Sequence, residues 1–118
     1  MRGLLQPLRA VTTIIIFATM IAAPASAVPP SKAIKVTIAG MSYQPADLTV
    51  RVGQTIEWIN KDVVDHTATE KAKALWNVSI APGKSAKVVM KTAGTFEYFC
   101  RYHPNMIGRV VVKSAQTK

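Results

Sequence analysis

Side chains that can bind a metal lie close together near the C-terminal end of the chain. Cys100, His103 and Met106 fall within seven residues, and Cys100 is the single cysteine of the 118-residue sequence. His66 is the other of its two histidines. A thiolate, two imidazoles and a thioether form the ligand set of a type 1 copper centre. His66, Cys100, His103 and Met106 are therefore the candidate metal ligands.

The mixed character of this ligand set favours copper over other metals. Cu(I) prefers soft sulfur ligands and Cu(II) prefers nitrogen, so a set with both serves each oxidation state without rearrangement. Zinc usually takes four firm ligands and rarely a thioether. One copper ion that alternates between Cu(I) and Cu(II) accepts and releases a single electron. Because four ligands leave no open position for a substrate, we predict an electron carrier and not an enzyme.

The residues around Cys100 predict a strand followed by a tight loop. Phe96, Tyr98 and Cys100 are spaced by two residues, so they share one face of a strand and the thiol points toward the interior. The chain then turns, and His103 and Met106 follow at steps of three. A loop of this length can return both side chains toward the sulfur.

Alternating apolar residues predict short strands along most of the chain after residue 33. Residues 40–45 and 81–84 have the composition of turns. Residues 62–77 lack a clear period and fit a short strand after His66, a loop or one helical turn. We expect His66 itself to lie at the end of the strand that carries Ile56 and Trp58. The pattern predicts an all-β, Greek-key β-sandwich of about seven to eight strands. The inward positions are Ile34, Val36, Ile38, Leu48, Val50, Val52, Ile56, Trp58, Ala86, Val88, Met90, Phe96, Tyr98, Val110 and Val112.

The first 27 residues have the pattern of a secretory signal peptide. Arg2 and Arg9 precede an uncharged apolar run over residues 11–23, and a small-x-small motif follows at residues 25–27. The run is shorter than the roughly 20 residues of a membrane-spanning helix. We expect cleavage after Ala27 and an exported domain over residues 28–118 that is not stably inserted in a membrane. An uncleaved N-terminal anchor is the alternative.

The predicted domain is strongly basic. The sequence has 15 Lys and Arg and six Asp and Glu, and two of the basic residues lie in the leader, which gives the domain a net charge of 13 − 6 = +7. An exported protein rarely meets nucleic acid, and the lysines are scattered along the chain. We therefore expect an acidic protein partner and no nucleic acid, with a merely soluble basic surface as the alternative. A single cysteine excludes an internal disulfide, and we expect a monomer.

The chain resembles the cupredoxin family, and within it the amicyanin and pseudoazurin branch more than plastocyanin or azurin. The resemblance is carried by the Gly-Thr-Phe-Glu-Tyr-Phe-Cys run at 94–100, the Cys-x-x-His-Pro-x-Met loop at 100–106 and the Val-Gly-Gln-Thr-Ile-Glu-Trp-Ile-Asn run at 52–60. The compact loop is similar to that of amicyanin. The resemblance implies an eight-strand Greek-key sandwich and one copper ion that shuttles electrons between redox partners in the periplasm. It implies copper ligation by His66, Cys100, His103 and Met106.

The resemblance also implies roles for residues near the ligands. Asn60 stands where amicyanins place an Asn that ties the two ligand loops together beside the Cys sulfur, although a plain turn Asn is an equal alternative. His103 corresponds to the ligand that reaches the surface in an apolar patch where partners dock. Asp65, Arg101 and Tyr102 depart from the family pattern, so no particular partner is implied.

Two other functions fit an all-β exported domain. One is a copper-trafficking protein without an electron-carrier role, but such proteins tend to be rich in methionine or histidine, and this chain has two histidines. The other is a redox-silent adhesion module, which predicts no metal at all. The clustered ligand set favours the electron carrier.

Overall fold

The computed structural model describes residues 10–23 and 31–115, together with Gly3 and Pro7. Within these residues there are nine β-strands and no helix. The all-β prediction is confirmed, with nine strands in place of seven to eight. The strands are β1 (Ile34–Ala39), β2 (Ser42–Gln44), β3 (Asp47–Arg51), β4 (Thr55–Asn60), β5 (His66–Glu70), β6 (Asn77–Ile80), β7 (Ser85–Val89), β8 (Gly94–Phe99) and β9 (Ile107–Lys113).

The strands form two sheets. One has the order β2-β1-β4-β7 and the other the order β3-β9-β8-β5-β6. β1 is parallel to β4 and β3 is parallel to β9, whereas β8 is antiparallel to both β5 and β9. The chain passes from one sheet to the other between β2 and β3, β3 and β4, β4 and β5, β6 and β7, and β7 and β8. Crossings of this kind are those of the predicted β-sandwich.

Side chains from the inner faces of both sheets fill the core. The Trp58 ring of one sheet meets the Tyr98 ring of the other edge-on, with their centroids 5.5 Å apart, and both side chains are fully buried. Tyr98 also packs directly on the backbone of β9, because a Cβ added at Gly108 would lie 2.2 Å from Cζ of the Tyr98 ring. The strand that leads to Cys100 is thus held in place by aromatic packing.

The predicted turn region at residues 40–45 contains the short strand β2. β1 and β2 form a hairpin in which Ala39 pairs with Ser42. The two connecting residues, Gly40 and Met41, have φ angles of 57° and 59°. A two-residue hairpin loop with both φ angles positive is a type I′ turn, which matches the twist of the flanking strands.

The expected position of His66 was wrong. The strand that carries Ile56 and Trp58 ends at Asn60, and His66 is the first residue of β5 in the opposite sheet. The error came from residues 61–65, where the alternation stops but no Gly or Pro marks a turn between two strands. Because β5 is antiparallel to β8, the start of β5 lies beside the end of β8, and His66 and Cys100 meet there.

Residues 10–23 contain no helix or strand, and their large apolar side chains are exposed, as for Val11 (87%), Phe17 (86%) and Met20 (99%). Across the described residues, no helix is long and apolar enough to cross a membrane. The expected cleavage site after Ala27 lies outside the described residues. The signal peptide therefore stays a prediction.

Candidate metal centre

Cys100 follows β8 directly and opens the ligand loop. Its side chain is fully buried and its thiol is free, as the alternation along β8 predicts. Its N–H donates to the carbonyl of Met106 (3.2 Å), the His103 N–H donates to the Cys100 carbonyl (3.2 Å), and the Met106 N–H donates to the His103 carbonyl (2.8 Å). These three bonds close the loop and return it to the end of β8.

The structure brings the candidate ligands from distant parts of the chain together. Sγ of Cys100 lies 3.7 Å from Nδ1 of His66 and 3.7 Å from Nδ1 of His103. The three donor atoms all lie within 4.8 Å of one another. Met106 is 4% exposed and lines a cavity together with His103. The four side chains that the sequence singled out thus belong to one end of the sandwich.

The spacing and chemistry of these donors fit a copper ion. Metal bonds of the length found for zinc, about 2.0 Å to nitrogen and about 2.3 Å to sulfur, place two donors about 3.7 Å apart when they meet at about 120°. This is the separation between the Cys100 sulfur and each imidazole nitrogen. The spacing thus fits a metal ion, and the donor chemistry favours copper: one thiolate and two imidazoles, with a thioether on the same loop, suit both of its oxidation states.

Asp62 contacts the side of the His66 ring that faces away from the sulfur. Its Oδ2 atom lies 2.9 Å from Nε2 of His66, and its carboxylate accepts the N–H groups of Gly40 (2.8 Å) and Met41 (3.0 Å). The Met41 N–H does most to lower the pKa of the Asp62 carboxyl, although desolvation opposes it. A carboxylate at Nε2 favours a proton on that nitrogen and leaves Nδ1 free to bind a metal.

Sequence reasoning singled out Asp65 and missed Asp62. Asp62 stands four residues before His66, but this spacing indicates a contact only when the conformation of the loop between β4 and β5 is known. In the structure Asp65 is exposed, whereas the Asp62 side chain is 17% exposed and paired with His66.

Thr67 joins the two segments that carry the ligands, and sequence reasoning missed it too. Its backbone N–H donates to Sγ of Cys100 at 3.3 Å. Its Oγ1 atom accepts the N–H of Arg101 at 2.9 Å. Hydrogen bonds around the cysteine sulfur tune the potential of a copper site, and such outer contacts also fix ligand orientation.

Asn60 has a different set of contacts from those expected. It is fully buried, and its Nδ2 donates to the carbonyls of Val64 (2.8 Å) and Ile80 (2.9 Å). Its Oδ1 accepts the N–H of Asp62 at 2.9 Å. These bonds fix the loop between β4 and β5 and join it to β6. The tie between the two ligand-bearing segments is made by Thr67.

The centre meets the surface at His103, which is half-buried. A cavity of about 410 Å³ beside it is lined by Met41, Tyr102, Pro104, Asn105 and Met106. We call these six residues, His103 included, the His103 patch. Met41 is 42% exposed and Tyr102 is 57% exposed. The patch therefore offers apolar and aromatic surface next to one candidate ligand.

Comparisons with known proteins agree with this fold and site. The cupredoxin-like domain family matches residues 11–112. Amicyanin from Paracoccus denitrificans is 36% identical over 86 residues, which cover 69% of this chain and 66% of that protein. Amicyanin from Paracoccus versutus is 30% identical over 89 residues, which cover 71% of this chain and 67% of that protein. The chain thus spans about two thirds of the length of these relatives.

A solved structure supports the same relationship. A Cu(I) form of an amicyanin mutant matches with a TM-score of 0.63 and 35% identity, and the match covers 69% of this chain and 82% of that one. The ligand geometry, the two-sheet fold and the relatives all point to one group of proteins. The chain therefore belongs to the cupredoxin-like family and, within it, to the amicyanin-like branch.

Proposed function

We propose that this protein is an exported type 1 copper protein that carries single electrons between redox partners in the periplasm. The observation that carries the proposal is the buried Cys100 sulfur at 3.7 Å from one imidazole nitrogen of His66 and one of His103. Its amicyanin relatives support an electron carrier. The exposed apolar run at residues 11–23 is compatible with a leader that is removed after Ala27.

Each of the four candidate ligands would have a different role in such a centre. Cys100 and His66 are fully buried and would bind the metal inside the protein. The half-buried His103 would connect it with the surface, and Met106 would supply a weak fourth ligand. When bound, copper supplies the one-electron step between Cu(I) and Cu(II). Because a strand, a closed loop and Asp62 hold the ligands, they would rearrange little in that step.

The charge of the surface favours an acidic partner. Two of the six acidic residues pair with lysines of this chain, Glu57 with Lys87 and Glu97 with Lys71. Two more use their carboxylates to bind backbone N–H groups: Asp62 binds Gly40 and Met41, and Glu70 binds Ala72, Lys73 and Leu75. The lysine and arginine charges that the acidic residues do not balance can therefore attract a negatively charged protein. Such a partner would dock at the His103 patch and take or give the electron through His103.

Copper titration of the purified protein tests the proposal. Cu(II) should produce an intense blue absorption from the thiolate-to-copper transition, and a reductant should remove it reversibly. Cys100→Ser should abolish the band, because the sulfur is its electron donor. A colourless product, or a blue one that is unaffected by Cys100→Ser, contradicts the proposal. A blue centre with slow electron self-exchange and fast copper exchange would instead indicate copper trafficking.

Fractionation tests the location. The mass of the protein in the periplasmic fraction should be that of residues 28–118. An intact N-terminus in the membrane fraction would indicate an uncleaved anchor.

A further inference from the structure

A row of hydrogen-bonded polar groups leads away from the centre along β5 and ends on β6. Thr67 and Thr69 are two residues apart and share one face of the strand, and their Oγ1 atoms are 3.0 Å apart. Thr69 pairs across the sheet with Asn77 of β6, and its Oγ1 lies 2.9 Å from Oδ1 of Asn77. The Arg101 N–H donates to Thr67 Oγ1 at the other end. We call the Arg101 N–H, Thr67, Thr69 and Asn77 the hydroxyl chain.

The hydrogen bonds of the hydroxyl chain all point in one direction. A hydroxyl has one proton to donate, and an amide oxygen can accept only. The Thr69 hydroxyl therefore donates to Asn77 Oδ1, and Thr69 Oγ1 accepts the proton of Thr67. The lone pairs of Thr67 Oγ1 are left to accept the Arg101 N–H. Thr67 is fully buried and Thr69 is 7% exposed, so the aligned bonds polarise and strengthen one another.

We propose that Thr69 and Asn77 are positioning residues for the metal centre, which act through Thr67 on the sulfur of Cys100. The inference rests on the proposed function. Thr67 holds the ligand segment at two points, since its N–H donates to Sγ and its Oγ1 accepts the next N–H along the chain. The bond from the Arg101 N–H to Thr67 Oγ1 requires the Thr67 hydroxyl proton to point away from Arg101. Thr69 accepts that proton, and Asn77 accepts the proton of Thr69 in turn, so both residues hold the Thr67 hydroxyl in this orientation.

The consequence for copper follows from charge. An N–H that points at the sulfur stabilises electron density on the thiolate and so favours the electron-rich Cu(I) state. A hydroxyl chain that fixes this N–H also limits its movement when the metal changes oxidation state. The hydroxyl chain would thereby raise the reduction potential and restrain the sulfur, although its distal residues lie on a different hairpin from the ligand loop.

The test must separate positioning from the ordinary satisfaction of buried polar groups. Thr69→Val keeps the shape of the side chain and removes both hydrogen bonds, whereas Thr69→Ser keeps the hydroxyl. Asn77→Ala removes the last acceptor at an exposed position, where truncation leaves no buried cavity. Thr95→Val makes the same chemical change at an exposed position of β8 and serves as the matched control.

Amide hydrogen exchange in the metal-free protein gives the first readout. In Thr69→Val the amides of Thr67 and Arg101 should exchange about fivefold faster, the effect of one neutral hydrogen bond, while the core amide of Val110 keeps its rate. Asn77→Ala should show a smaller change of the same kind. Thr69→Ser and Thr95→Val should exchange like the unaltered protein.

The copper-loaded protein gives the second readout. Thr69→Val should have a lower reduction potential and a shifted blue band, and Thr69→Ser should restore both. Unchanged exchange at Thr67 and Arg101, or an equal rise at every amide, would overturn the inference. If Thr69→Val does not fold, Asn77→Ala decides the test. Faster exchange confined to the amides of Thr67 and Arg101 supports the inference, and unchanged exchange at these amides overturns it. Failure of the proposed function would show separately, as the absence of a blue band in the unaltered protein.

Discussion

Oδ2 of Asp62 and Nε2 of His66 lie 2.9 Å apart, on the side of the imidazole ring away from Cys100. The ring is thus held between a carboxylate on one side and a sulfur on the other. Because the same carboxylate accepts the N–H groups of Gly40 and Met41, one side chain fixes both the β1–β2 hairpin and a candidate ligand.

Removing the Asp62 charge should weaken copper binding. We expect Asp62→Asn to lower copper affinity by about 10–100-fold, the usual cost of a lost partner of a metal-binding histidine. Competition with a chelator measures this. Asp65→Asn makes the same change of charge at an exposed neighbour of His66 and should leave the affinity nearly unchanged. Equal losses in both variants would show that net charge, and not the contact with His66, is responsible.

The thioether of Met106 should tune the potential without being needed for colour. Met106→Leu should keep the blue band and raise the reduction potential, because the loss of a weak thioether donor destabilises Cu(II) more than Cu(I). Voltammetry and absorption spectroscopy measure the two properties. Met90→Leu alters a buried methionine that directly follows β7 and should change neither. A Met106→Leu protein with an unaltered potential would remove Met106 from the ligand set.

The basic surface should be visible in electron-transfer rates with small reagents. Oxidation of the copper-loaded protein by anionic ferricyanide should slow as salt is added, and oxidation by a cationic cobalt(III) complex should accelerate. Salt screens charges beyond about 8 Å at 0.15 M ionic strength, which removes the attraction in the first case and the repulsion in the second. Stopped-flow kinetics measures both. The opposite signs would contradict an acidic partner.

Close packing should make residue 108 intolerant of a side chain. A Cβ there would lie 2.2 Å from the buried Tyr98 ring, so Gly108→Ala should lower the free energy of unfolding by about 1–3 kcal/mol or more. Denaturant unfolding measures the loss. The double variant Gly108→Ala with Tyr98→Leu should lose less free energy of unfolding than the sum of the losses in the two single variants. Full additivity would mean that the ring is not the obstacle.

The Glu70 carboxylate should stabilise the fold at neutral pH but not in acid. Burial acts to raise its pKa, but the N–H groups of Lys73, Ala72 and Leu75 outweigh burial and lower it. Because the pKa is lower in the folded than in the unfolded chain, the stabilisation is present above the unfolded value of about 4.3. It is lost as the pH falls through the folded value.

The matching variant is Glu70→Gln. Its free energy of unfolding at pH 7 should be about 1–3 kcal/mol lower than that of the unaltered protein. This difference should shrink below a pH of about 4. Glu97→Gln breaks an exposed ion pair with Lys71 and should cost at most about 1 kcal/mol. A constant difference for Glu70→Gln across the pH range would contradict the role of its charge.

The strands and the ligand loop were predictable because they depend on short-range pattern. The period of two in β1 and β8 indicates which side chains face inward, and Tyr98 and Cys100 lie where it places them. Cys100, His103 and Met106 lie so close along the chain that a single turn must bring them together. A ligand set with two imidazoles must include His66, because the sequence has two histidines and His103 is the other.

The sequence alone thus determined the fold class and the set of candidate ligands, through local periodicity and residue chemistry. The tertiary structure decided where His66 lies and which groups surround the ligands. Asp62 meets His66 because the loop between β4 and β5 folds back, and Thr67 meets Cys100 because β5 lies antiparallel to β8. Such contacts depend on the register of strands that are distant in sequence, and no local pattern encodes that register.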